Sequence, residues 1–159
     1  MAVEELASKI QQTLAESWLP RIYRDRVLKL RTRSYHFDNL RPTATVSVQH
    51  TLLGVELKIG RRRLLCPDLA TARYLSVFAR AGCKDVAVPY DITKISRLAD
   101  ELESSWFRML LLIDEVAKGT SVRTRTRLRG LLFATIQSEI AAVGAGTKIP
   151  EFRQSTRQR

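Results

Sequence analysis

The stretch Asp91–Gly119, DITKISRLADELESSWFRMLLLIDEVAKG, decides the fold. Ile92, Ile95, Leu98, Ala99, Leu102, Trp106, Met109, Leu110, Ile113, Val116 and Ala117 recur at the three-and-four spacing that lines one face of a helix. Asp91 is a good N-cap, because its carboxylate accepts the free amides of a first turn. Gly119 suits the left-handed position just past a helix end. Lys94, Arg97, Glu101, Arg108 and Glu115 form the solvated side. Phe107 and Leu111 stack one turn apart, away from the main stripe, so the second half of this helix must touch more than one neighbour. That is the signature of a scaffold, not of a catalytic element.

Working outward, Gly119-Thr120-Ser121 turns the chain back. Leu128, Leu131, Leu132, Thr135, Ile136, Ile140 and Val143 stripe a last helix ending at Gly144 or Gly146, which completes a C-terminal helical hairpin. Upstream, Val86–Val88 reads as a short strand before Pro89. Pro67 opens a helix with Asp68 in its first turn, and Gly82 closes it. Thr43–Thr51, Val55–Ile59 and Arg61–Cys66 alternate as strands of an antiparallel meander, with Gly60 allowing a tight turn. A strand, helix and strand in this order suggests a right-handed crossover that sets Val86–Val88 parallel to a meander strand. Val3–Leu19 reads as a helix stopped by Pro20. Arg21–Phe37 is ambiguous between helix and strand, and a strand from about Val27 onward is favoured. The fold class is therefore α+β: a small, mainly antiparallel sheet of three to five strands packed by helices, with a long helical hairpin at the C-terminus. Residues 1–146 form one globular domain and 147–159 a flexible basic tail.

The 159 residues, 45% of them hydrophobic, are enough for a real core. The two cysteines, Cys66 and Cys83, supply neither a disulfide framework nor a metal set, and read as free buried thiols of a reducing compartment. No apolar run is long enough to span a bilayer, and Glu4 and Glu5 stand where a secretion signal would be basic. A cytoplasmic protein with no membrane partner is the expectation.

The net charge is +11, and its distribution is uneven. Arg21, Arg24, Arg26, Lys29, Arg31, Arg33 and Arg41 face only Asp25 and Asp38 in their stretch. Arg61, Arg62 and Arg63 are consecutive, and Arg123, Arg125, Arg127 and Arg129 have no acid among them. The acids gather on the long helix, at Asp100, Glu101, Glu103, Asp114 and Glu115. Clustered base favours a polyanion, because each cation set against a phosphate releases a condensed counterion.

Four constellations follow. Arg123–Arg129 falls where the last helix begins; cations there oppose the helix dipole and invite an anion, unless Asp114 or Glu115 neutralises Arg123 or Arg125 across the turn. A helix starting at Ser121 turns Arg125 and Arg129 toward the apolar face, so snorkelling or a start near Thr126 is expected. Lys29, Arg31 and Arg33, with the Arg61–Arg63 turn, form one basic sheet edge; the bland alternative is an edge guarded against pairing. Beside it, Tyr35 and Phe37 are candidates for stacking on bases, although aromatics at such spacing are more often core. Phe107 and Leu111 are a docking face for a partner or a second copy, unless the Val3–Leu19 helix covers them, as the sequence favours.

Glu56-Leu57-Lys58, with Asp38 upstream, resembles the D…(D/E)-x-K core of PD-(D/E)xK nucleases, in which two carboxylates hold a divalent ion and the lysine assists. Three residues carry this likeness, and the usual proline does not precede Asp38. His36 and His50 lack metal-ligand spacing, and the Gly144–Gly146 pair ends a helix instead of opening one, so no cofactor or nucleotide-hydrolysis motif is read. The functional expectation is a non-catalytic basic protein that contacts RNA or DNA through phosphates. The competing class is an interaction or assembly module that docks an acidic protein or self-associates through the long helix, with a nuclease as the remote third.

Overall fold

A computed structural model describes residues 2–41 and 44–146; the tail expected at 147–159 lies outside the described residues. The architecture is α+β, with five antiparallel strands in two small sheets among the described residues. Among the described residues no helix is long and apolar enough to cross a membrane.

The hairpin forms as its sequence dictates. Helix α4 runs Ile92–Val116 and α5 runs Val122–Val143. Asp91 caps α4 by accepting the Thr93 hydroxyl at 2.7 Å and the Thr93 amide at 3.0 Å, and these two bonds, the hydroxyl first, hold its carboxyl below the usual range. Ser121 caps α5 by accepting the Thr124 amide at 3.1 Å. Ile95, Leu98, Ala99, Leu102, Trp106, Met109 and Ile113 bury the inner face of α4, and Leu128, Leu132, Ile136 and Ile140 that of α5. Gly119 lies three residues beyond the last helical residue, at φ 83°, in the connecting turn.

The N-terminal segment departs from expectation. Helix α1 covers only Val3–Leu14, and a tight turn at Ala15–Ser17 follows. Pro20 starts a helix instead of stopping one. It is the second residue of α2 (Leu19–Ile22), where the missing N–H would have had no intrahelical partner anyway. A wider turn, Tyr23–Val27, carries the helical path on and buries Ile22, Tyr23 and Val27. The strand favoured from Val27 begins only at Thr32, because burying those three side chains together outweighs the alternation of the letters. Ser105 donates to the Ser17 carbonyl and Trp18 Nε1 to Glu139 at 2.8 Å, which ties this bend to both hairpin helices.

Strands β2 (Val46–Thr51), β3 (Gly54–Ile59) and β4 (Arg62–Cys66) form the expected antiparallel meander. Helix α3, Leu69–Ala81, packs on β2 and β3. Asp68 is its N-cap, accepting from Thr71 at 2.7 Å, so Pro67 precedes the helix instead of opening it. Gly82 closes it at φ 83°.

Strand β5, Asp85–Pro89, does not join the meander in parallel. It pairs antiparallel with β1, Thr32–His36, with Ser34 opposite Ala87. On the side of β5 away from β1, two tyrosines stand where a third strand would be. The Ala87 amide donates to the Tyr23 hydroxyl at 2.9 Å, and the Tyr74 hydroxyl donates to the Ala87 carbonyl at 2.5 Å. Tyr23 also donates to the Gly144 carbonyl at 2.6 Å, fastening the end of α5 to the sheet. Burial pushes the Tyr23 hydroxyl up to about 12 and raises that of Tyr74 well above its ordinary value.

Candidate nucleic-acid interface

Alternation along β3 sorts the meander into two faces. Val55, Leu57 and Ile59 turn toward α3, with Leu57 wholly buried. Glu56 and Lys58 turn the other way. The register then fixes their neighbours: Ser47 and Arg63 lie directly across from Lys58, and Gln49 and Leu65 across from Glu56. Lys58 and Arg63 thus form a cross-strand pair of like charges, which costs stability unless an anion lies between them. Gly60, at φ 60° with its amide on the Thr45 carbonyl at 2.8 Å, makes the turn that presents Arg61 beside them. Among the described residues none of Lys58, Arg61 and Arg63 is in an ion pair with a carboxylate.

Arg62 behaves differently. It donates to the Asp38 carbonyl at 3.2 Å and lies 3.9 Å from the Asp38 carboxylate. His36 bridges Asp85, at 2.7 Å from Nδ1, and Asp38, at 3.6 Å from Nε2. These exposed groups pin the end of β1 to the meander. Next to them Tyr35 is half-buried, and desolvation raises its hydroxyl above the ordinary value despite the nearby Arg33 and Arg62. It meets Phe37 edge to face, with ring centroids 5.0 Å apart. Phe37 is 2% exposed and belongs to the core. It therefore offers no free face to a base, which leaves Tyr35 with part of one.

The expected basic sheet edge is only partly assembled. Arg33 lies in β1, but Lys29 and Arg31 belong to the lead-in before it, and Arg31 stacks over Tyr90 at 5.1 Å. Arg123, Arg125, Arg127 and Arg129 are all exposed on the first two turns of α5. The helix begins at Val122, not near Thr126, and neither Arg125 nor Arg129 turns into the core. Arg125 meets Asp114 at 3.7 Å, and Arg129 stacks over Phe133 at 5.1 Å. Helix α5 is about 33 Å long, and its far end is fastened to β5 through Gly144. The guanidinium groups therefore form two separate surfaces, one on the meander and one at the start of α5.

The nuclease-like residues do not converge. Asp38 is engaged with Arg62 and His36, and Arg62 alternates with Arg63 along β4, so Asp38 stands toward the opposite face from Glu56 and Lys58. No group of three or more His, Cys, Asp or Glu residues suited to a metal exists among the described residues. Glu56 itself is 8% exposed, and its Oε1 has no hydrogen-bond partner. A cleft of about 370 Å³ between the end of α3 and the last turns of α5 is lined by Gly82, Cys83, Lys84, Asp85 and Gln137 among others, and includes none of the predicted site residues.

Phe107 and Leu111 are 53% and 68% exposed. Helix α1 packs against α4 and α5 but leaves these two side chains uncovered, contrary to the covering expected of it. The register that sets Ser47 and Arg63 beside Lys58 was invisible in the sequence, since it depends on pairing across strands. No family model, curated protein or solved structure matches this chain.

Proposed function

We propose that this protein binds nucleic acid without catalysis, holding backbone phosphates on the outer face of the β3–β4 hairpin. Lys58, Arg61 and Arg63 are the phosphate contacts, and Ser47 adds a hydroxyl. The observation that supports this most is the Lys58–Arg63 cross-strand pair, two adjacent cations with no carboxylate partner among the described residues. A phosphate between them removes a repulsion that the folded chain otherwise carries. Arg123 and Arg127, one turn apart on α5, supply a second and separate phosphate-binding stretch. An extended polymer reaches both surfaces where a small anion reaches one.

The test is fluorescence anisotropy with mixed-sequence RNA and DNA over a salt series. Binding should weaken steeply with salt, and Lys58→Ala and Arg63→Ala should each lower the salt slope by about one. Absence of binding at low salt refutes the reading. The competing reading, an assembly module docking an acidic protein or a second copy, is favoured by the exposure of Phe107 and Leu111. Association through those side chains persists at salt concentrations that release a polyanion.

A further inference from the structure

The exposed side of α4 carries a second seam, distinct from the stripe that faces the core. Asp100, Ser104, Phe107, Leu111, Asp114 and Lys118 follow one another at intervals of four, three, four, three and four residues, the spacing of a helix–helix contact line. All six are exposed. Lys118 lies two residues past the last helical residue, held in line by its amide on the Glu115 carbonyl at 3.3 Å. Asp100 accepts from Arg73 at 2.6 Å and Asp114 lies 3.7 Å from Arg125; both carboxylates remain largely solvent-accessible, at 68% and 63% of the side chain.

The order of residues along this seam is complementary to itself when reversed. Turned about a two-fold axis at the level of residue 109, Asp100 meets Lys118 of the partner subunit. Ser104 then meets Asp114 of the partner subunit, and Phe107 meets Leu111 of the partner subunit. Every position finds a suitable counterpart: opposite charges at the two ends, a hydroxyl donor on a carboxylate, and apolar against apolar in the centre. A parallel pairing in register sets Asp100, Asp114 and Lys118 each against its own copy, which like charge forbids. We infer that α4 pairs antiparallel with α4 of a second copy of this chain, forming an isologous dimer centred on Phe107 and Leu111. The seam is about 27 Å long, so the buried area falls at the small end of specific interfaces and the dimer is concentration-dependent. This inference stands on α4 alone and is independent of the phosphate-binding reading of the meander.

Sedimentation equilibrium of the full chain over a micromolar to millimolar range tests it. A monomer–dimer equilibrium is expected. Leu111→Asp, at an exposed position that leaves the fold intact, should raise the dimer Kd by about thirtyfold or more, the scale of a lost central anchor. Lys118→Asp should weaken the dimer, and Asp100→Lys combined with Lys118→Asp should restore it. For orientation, Ser104→Cys together with Asp114→Cys should give a disulfide-linked dimer on mild oxidation. Ser104→Cys alone should not, because the antiparallel arrangement holds the two copies of that position about 15 Å apart. A strict monomer, a dimer indifferent to Leu111→Asp, or cross-linking by Ser104→Cys alone would overturn the inference.

Discussion

The Tyr23 hydroxyl accepts the amide of Ala87 at 2.9 Å while donating to the carbonyl of Gly144 at 2.6 Å. One side-chain oxygen thereby joins the N-terminal helical bend, the β1–β5 sheet and the end of α5. Tyr23→Phe keeps the ring and removes the oxygen, leaving a buried N–H and a carbonyl without a partner. Unfilled buried groups cost about 1–3 kcal/mol each, so a loss of about 2–4 kcal/mol is expected. Urea unfolding should show it as a lower midpoint with an unchanged slope.

The same burial predicts alkaline sensitivity. The Tyr23 hydroxyl rises from 10.0 to about 12 and the Cys83 thiol from 9.0 to about 12, both chiefly through desolvation. Each is neutral when protonated, so below pH 9 folded and unfolded chains bind the same protons at these sites. Above that, the unfolded chain ionises first, and the stability these groups contribute is lost as pH rises toward about 12. Denaturant midpoints should therefore fall from pH 9 upward, and Cys83→Ala should lessen the earliest part of the fall, the rest of it coming from the Cys66 thiol, which burial also raises.

Gly82 and Gln137 are coupled. Gly82 sits at φ 83°, and a β-carbon there would lie 2.5 Å from Gln137 Nε2, which donates to the Ala81 carbonyl at 2.8 Å. Gly82→Ala should cost about 1–3 kcal/mol from the left-handed backbone, the clash and the displaced hydrogen bond together. With Gln137→Ala in the background, the clash and that bond are already gone. The two losses should therefore sum to more than the double variant shows in a mutant cycle.

Arg123 is unfavourable where it stands. It occupies the first turn of α5, which holds no acid, and Arg127 follows one turn later. Arg123→Glu should raise stability by about 0.3–1 kcal/mol through the helix dipole, with a further gain from relieving Arg127. If phosphate is held there, the same variant should bind nucleic acid more weakly. A thermal melt and a binding isotherm on one protein sample read both effects.

What could be read in advance was what depends on neighbours in sequence. Asp91 and Gly82 marked helix ends through their own side-chain and backbone preferences, and the alternation Val55, Leu57, Ile59 gave β3 directly. Pro20 reads equally as the end of one helix or the beginning of another, and only the extended backbone at Trp18 distinguishes the cases. The partner of β5 was unreadable for a different reason. Its placement depends on Tyr23, 64 residues from Ala87, and on Gly144, 121 residues from Tyr23, contacts that leave no periodic trace. The candidate site divided along the same line. Lys58 and Arg61–Arg63 were visible as charges, but their alignment with Ser47 required the register, and the burial of Phe37 required the packing around it.

The two tyrosines that occupy the outward groups of Ala87 also limit how this protein can grow. A strand with free amides and carbonyls is a template on which further chains polymerise, and here that flank is stoppered by phenols that cannot themselves be extended. Ribbon-like stacking of copies through this flank of β5 is thereby denied, because an incoming strand would first have to displace both phenols from Ala87.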